Sequence, residues 1–183
     1  MNNQIFITYV NNAQNIWEFA VKNRSEYTNI QLNKIYYLMT PFYLNNKIDN
    51  KIKNNFETIY DVFFYGLENK RRKDILNKLS EIFNIKIGFR IYGKARDDII
   101  IKSKIIINLH YYDDCALESC RLNEILQYNK IIISEKPSES DWYNQSLYNN
   151  IVDFVDIINP DSDFFTIYIY IYINGLSRKI FKV

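Results

Sequence analysis

The sequence predicts an α/β chain: a Rossmann-like, doubly wound parallel sheet with a short N-terminal extension. Three observations carry that expectation. From Ile59 to about Ile158, apolar runs of strand length alternate with segments of helical period. Those runs (DVFFYG, KIIIN, KIIIS) are continuously apolar rather than alternating, as strands buried on both faces must be. Strand-like runs end at Gly66 and Gly93, each followed by a helical pattern, the order a right-handed crossover needs.

Taken in order, Gln4 to Val10 reads as a strand, Gln14 to Lys22 as a helix, and Lys34 to Thr40 as a strand ahead of Pro41. Residues 43–55 are rich in Asn and Lys and read as a linker or an exposed helix. The regular part begins with the strand IYDVFFYG. The helix LENKRRKDILNKLSEIFN follows, with Ile75, Leu76, Leu79, Ile82 and Phe83 near the 3.6 period. IKIGFRIYG is the second strand, ARDDIIIKSK a short helix, and KIIINLHYY the third strand. ALESCRLNEILQYN is a helix whose apolar members are Leu117, Cys120, Leu122, Ile125 and Leu126. KIIISEK and IVDFVDII are the fourth and fifth strands. Residues 1–58 are thus an extension, 59–158 the domain, and 159–183 a tail whose FFTIYIYIYING favours β structure without an assigned place.

Composition narrows the function classes. Of 183 residues, 23 are Lys or Arg and 21 Asp or Glu, a net charge of +2, which is no footprint for a polyanion. The run KRRK at 70–73 has no interleaved aromatic platform, so nucleic acid is not an expected partner. The 31 Ile and 24 Asn share A/T-rich codons with Lys, Tyr and Phe, and report genome composition before function. Two cysteines and one histidine give neither a disulfide framework nor a conventional zinc cluster. The first residues lack the basic region of a signal peptide. The longest charge-free apolar stretch near the end, Phe164 to Ser177, falls short of the roughly 20 residues of a spanning helix. The expected location is the cytoplasm, that of the host if the chain is viral.

Ligands of open parallel sheets bind beyond the carboxyl ends of the strands, which selects four loops: 66–72, 92–96, 110–118 and 135–141. In the first, Gly66 permits close backbone approach, and Lys70, Arg71 and Arg72 open a helix able to meet phosphate oxygens; its plainer reading is a solvated basic face. In the third, His110, Tyr111, Tyr112, Asp113 and Asp114 leave a buried strand, and Glu118, Arg121 and Glu124 share one helix side. That row reads either as an intrahelical salt-bridge ladder or as carboxylates placed for ribose hydroxyls. His110 is open to a structural or a catalytic role. Asp113 and Asp114 suit a loop better than a Mg²⁺ site, and nothing beyond proximity to His110 supports Cys115 as a thiol nucleophile.

The segment running through DVFFYGLENKRRKD, IIINLHYYDDCALESCRLNEILQYN and KIIISEKPSESD resembles the C-terminal, nucleotide-sugar-binding half of GT-B-fold glycosyltransferases of the viral and bacterial group. The likeness spans about Ile59 to Ile158 and is most specific from Asn108 to Glu135. It implies a nucleoside-diphosphate sugar as donor, transferred to a hydroxyl of a glycan or protein acceptor, with no cofactor and no metal. It places Gly66 and Arg72 at the diphosphate, Tyr92 against the base, His110 and Tyr111 against the donor sugar or phosphate, and Arg71 and Arg121 among the donor-binding residues. Glu124 takes the ribose, and His110 and Glu118 stand as catalytic candidates. The sequence departs from the pattern at Ala116, where the E-x7-E signature has its first glutamate, at Leu67, where related enzymes carry Arg, and at Asn129, where glycine is usual. Only 58 residues precede the donor domain, and the resemblance implies that they are a remnant of the N-terminal acceptor domain and a linker, which either fold back on the donor domain or recruit a partner chain that supplies the acceptor domain; the alternative is a non-catalytic nucleotide-sugar-binding module or a truncated inactive relic.

Overall fold

The computed structural model describes residues 3–18, 20, 23, 27, 29–38, 57–138, 145–146 and 148–155. Among the described residues there are two sheets, one of two strands and one of five. The N-terminal part comprises α1 (Asn3–Asn12), β1 (Ile16–Glu18), α2 (Asn29–Leu32) and β2 (Ile35–Tyr37). β1 and β2 pair in parallel, with Trp17 beside Tyr36.

This part corrects two expectations. Gln4 to Val10 is helical, not extended. Its Ile, Phe, Tyr and Val content favours strands, but a strand must find a neighbour for its backbone whereas a helix satisfies its own. Ile16 to Glu18, expected within a helix, is a strand because tertiary partners claim it. The Ile16 amide donates to the Lys34 carbonyl, and the buried Glu18 carboxylate accepts from the Ala20 amide at 3.1 Å and the Tyr27 hydroxyl at 2.9 Å. The strand expected from Lys34 is found as Ile35–Tyr37. The linker at 43–55 and the tail at 159–183 lie outside the described residues.

The five-stranded sheet contains β3 (Tyr60–Gly66), β4 (Ile85–Phe89), β5 (Ser103–Asn108), β6 (Ile131–Glu135) and β7 (Asp153–Val155). Three helices join its first four strands: α3 (Lys70–Ser80), α4 (Gly93–Ile101) and α5 (Ser119–Leu126). The order is β4-β3-β5-β6-β7 and every pair is parallel. The chain steps outward from β3 to β4, returns past β3 to β5, and then advances to β7. The pleat of β3 divides its side chains. Val62 and Phe64 pack with Ile105, Ile107 and the α3 residues Ile75, Leu76 and Leu79. Phe63 and Tyr65 pack with Ile106, Ile132, the α4 residues Ile100 and Ile101, and the α5 residues Leu122 and Ile125. The domain is therefore a Rossmann-like, doubly wound α/β sheet with helices on both faces, as the continuous apolar runs require. Each fully buried Leu, Ile or Phe contributes about 1.5–3 kcal/mol, so these two layers hold the sheet together.

Local chemistry sets the boundaries. Asn69 caps α3, its side chain accepting from the Arg72 amide at 2.8 Å. Asn129 closes the α5 turn at φ +51°, the left-handed position that asparagine tolerates in place of glycine. Two strands stop earlier than expected. The second ends at Phe89, so Gly93 belongs to the start of α4; the third ends at Asn108, so Leu109 to Tyr112 are loop. Ile82 lies past the end of α3 and Cys120 is exposed, so neither joins the core.

Candidate functional site

The topology leaves one crevice where successive connections depart in opposite directions. After β3 the chain passes to α3 on one face; after β5 it passes to α5 on the other. Beyond the carboxyl ends of these two strands lies a cleft of about 430 Å³, at the position where doubly wound sheets take ligands. Its floor is the end of β3, from Tyr65 to Leu67. Arg90, Ile91, Tyr92 and Arg96 line it from the connection after β4, Arg72 from α3, and Tyr111, Glu118, Arg121 and Glu124 from the connection after β5. Four guanidinium groups and two carboxylates give the lining an excess of positive charge.

Gly66 explains how the cations approach. Its backbone is at φ +156°, and a Cβ there would stand 2.8 Å from Arg121 Nη2 and 3.3 Å from Arg72 Nη1. Two like charges meet over the one residue that leaves them room. Arg121 is held by neutral oxygens, donating from Nη2 to the Tyr65 carbonyl at 2.7 Å and from Nη1 to Asn108 Oδ1 at 2.8 Å. Its guanidinium also lies over the Tyr65 ring, whose phenol burial pushes up to about 12. Arg72 is almost wholly buried. Its Nη2 and Nε donate to the Leu109 carbonyl at 2.6 and 3.1 Å, and Nη1 donates to the Leu67 carbonyl at 2.8 Å. Burial and the nearby Arg121 charge both lower its pKa. Arg72 therefore staples the two crossover loops together and presents what remains of its fork to the cleft.

Glu118 sits at the start of α5, with Arg72 Nη2 at 3.6 Å on one oxygen. Its other oxygen accepts from Asn108 Nδ2 at 2.7 Å and lies 3.1 Å from His110 Nδ1. Burial alone would raise its pKa, but the His110 hydrogen bond and charge, with Arg121 and Asn108, hold it below the ordinary carboxylate range. His110 itself is fully buried, its Nε2 facing the Lys136 carbonyl at 3.2 Å. Both ring nitrogens thus face acceptors. Of the two catalytic candidates, Glu118 reaches the cleft and His110 stands behind it.

The other expected residues divide in the same way. Tyr92 is 70% exposed, and both it and Tyr111 line the cleft, with the Arg72 guanidinium over the Tyr111 ring. Glu124 is at the cleft but bound to Arg96, with 2.7 Å between Oε1 and Nη1. Arg71 turns away: its guanidinium grips the buried Glu135 carboxylate and also reaches Asp113. Glu135 accepts the His110 amide as well, at 2.6 Å, so this pair locks the loop after β5 to the end of β6. The glutamates and the arginine of α5 do not form a ladder; each reaches a different element. Asp113 serves Arg71, and among the described residues no group of three or more His, Cys, Asp or Glu is placed to hold a metal ion. Arg90 and Arg96 are the cleft residues that sequence reasoning missed. Arg96 lay inside a candidate loop, but Arg90 stood within what read as a strand.

Comparison with known proteins gives one relative. The chain is 35% identical over 132 residues to a protein of Acanthamoeba polyphaga mimivirus described as uncharacterized. The match takes in 70% of this chain and 46% of that protein, so the chain spans about half the length of its viral relative. No family model matches, and no solved structure matches. No helix among the described residues is long and apolar enough to cross a membrane.

Proposed function

We propose that the switch-point cleft binds a nucleoside-diphosphate sugar, and that the chain is the donor-binding part of a glycosyltransferase-like protein. The observation that carries this reading is the convergence of Arg72 and Arg121 on Gly66 at the carboxyl end of β3. Two guanidinium groups beside a residue without a side chain suit a diphosphate that must lie against backbone. Tyr92 offers an exposed ring for the base, and the partly accessible Glu118 a carboxylate for sugar or ribose hydroxyls. In the transfer the bond from the sugar's anomeric carbon to the diphosphate oxygen breaks, the acceptor hydroxyl oxygen bonds to that carbon, and the hydroxyl proton passes to the departing diphosphate. The arginines would stabilise the departing charge without a divalent ion. The acceptor, a glycan or protein, would be presented by other residues or by a partner chain, in the cytoplasm of a host cell.

A second reading, binding without turnover, is favoured by one feature: His110 is fully buried with both nitrogens engaged, and Glu124 is committed to Arg96. Calorimetric titration with UDP, GDP and dTDP, with and without Mg²⁺, tests the shared premise. One nucleotide should saturate the site, and Tyr92→Ala and Arg121→Gln should each weaken it about tenfold, the size of one aromatic or charged contact. Unchanged affinity in both variants would remove the assignment. Release of free sugar or its transfer to simple acceptors then separates enzyme from binder.

A further inference from the structure

The turn between β4 and α4 is built to hold a cation at the cleft that neither the sequence pattern nor the resemblance assigns. Arg90 has φ +55°, a left-handed conformation that a long side chain adopts at a cost. Two contacts impose it. The Arg90 amide donates to the Gly66 carbonyl at 3.2 Å, tying the turn to the end of β3. Ile91 folds back onto Gly88, where a Cβ would come within 2.6 Å of Ile91 Cγ2, so only glycine lets the chain reverse so tightly. The outcome is an exposed arginine lining the same cleft as Gly66 and Arg121.

Charge pairing shows what that arginine is free to do. Glu124 is spent on Arg96, and Glu118 lies between His110 and Arg72. The hydrogen bonds of Arg121 go to neutral oxygens. Arg90 makes no ion pair among the described residues. Arg90 and Arg121 are thus the two cleft arginines that form no ion pair with a carboxylate among the described residues, which matches the two negative charges of a diphosphate diester. We propose that Arg90 is a phosphate-binding residue, held by a strained turn in the cleft that Arg121 also lines, so that both guanidinium groups meet the diphosphate. This rests on the reading of the cleft as a diphosphate site and names a residue that reading does not require.

The strain gives the test two readouts of opposite sign. Arg90→Gly relieves the left-handed backbone and removes the charge, while Arg90→Lys keeps both the strain and the charge. Affinities for UDP, inorganic pyrophosphate and uridine are measured by calorimetry on the full chain, with Tm by calorimetric melting. Arg90→Gly should weaken UDP and pyrophosphate tenfold or more, leave uridine unchanged, and melt at or above the wild-type temperature. Arg90→Lys should retain most of the pyrophosphate affinity. Wild-type affinity in Arg90→Gly, or a loss of affinity accompanied by a lower Tm, overturns the proposal. If the wild type binds UDP and Arg121→Gln weakens it about tenfold while Arg90→Gly leaves it unchanged, the cleft reading stands and only Arg90 falls. If the wild type binds neither UDP nor pyrophosphate, both fall.

Discussion

Glu118 shows how far a side chain's role depends on what surrounds it. Within its own helix it is one member of an i, i+3 row with Arg121 and Glu124, and a solvated ladder is the natural reading. In the fold it meets buried His110 and Asn108 from the loop and strand before it, and Arg72 from another helix. Because the folded pKa of Glu118 lies below its ordinary value near 4.5, the group stabilises the fold above that value. The contribution is lost as pH falls through the lower, folded value. Urea unfolding from pH 6 to pH 3 should therefore show a steep acid limb in the wild type and a shallower one in Glu118→Gln. Parallel limbs would mean that Glu118 is not held ionised by its neighbours. Arg71 makes the same point from the other side. It was one of three adjacent cations expected at a ligand, yet its partner is the buried Glu135, and its position in the helix carries no sign of that choice.

At the scale of elements, the parallel sheet and its helices were legible because their signals are redundant. β3, β5 and β6 are each saturated with Val, Ile and Phe, and the helices between them show the 3.6 period. The α5–β6 connection was legible down to one residue, since a left-handed turn accepts Asn129 and few others. Asn129→Val should cost about 1–2 kcal/mol in chemical denaturation, and Asn129→Gly should be neutral or stabilising. An equal effect of the two would show that the turn re-forms without the left-handed residue. Short elements were misread for a physical reason. β1 has three residues, and what makes it a strand is the carbonyl of Lys34 and the amide of Leu38, not its own composition. In α1, β-branched and aromatic residues point one way while the backbone, closing on itself, goes the other.

The whole molecule joins two sheets of very different support. The five-stranded sheet buries Phe63, Phe64 and Ile106 completely and is covered on both faces, whereas the two-stranded sheet leaves Trp17 and Tyr36 largely exposed. A two-stranded pairing is marginal without further cover. Hydrogen exchange should thus be slowest at the amides of Val62–Tyr65, Ile105–Asn108 and Ile132–Ser134. It should be much faster at Ile16–Glu18 and Ile35–Tyr37. Equal protection in both sheets would show that they open as one unit. The sequence alone determined the fold class, the order of the main elements, and the loops that surround the cleft. These follow from hydrophobic period and turn chemistry, which act between near neighbours in the chain. Tertiary structure decided which residues of those loops face the ligand. Arg72 and Arg121 meet over Gly66, Arg71 is drawn off to Glu135, His110 is sealed behind Glu118, and Arg90 enters from a turn that read as strand. Such choices depend on partners tens of residues away, brought together only when the sheet has closed around them.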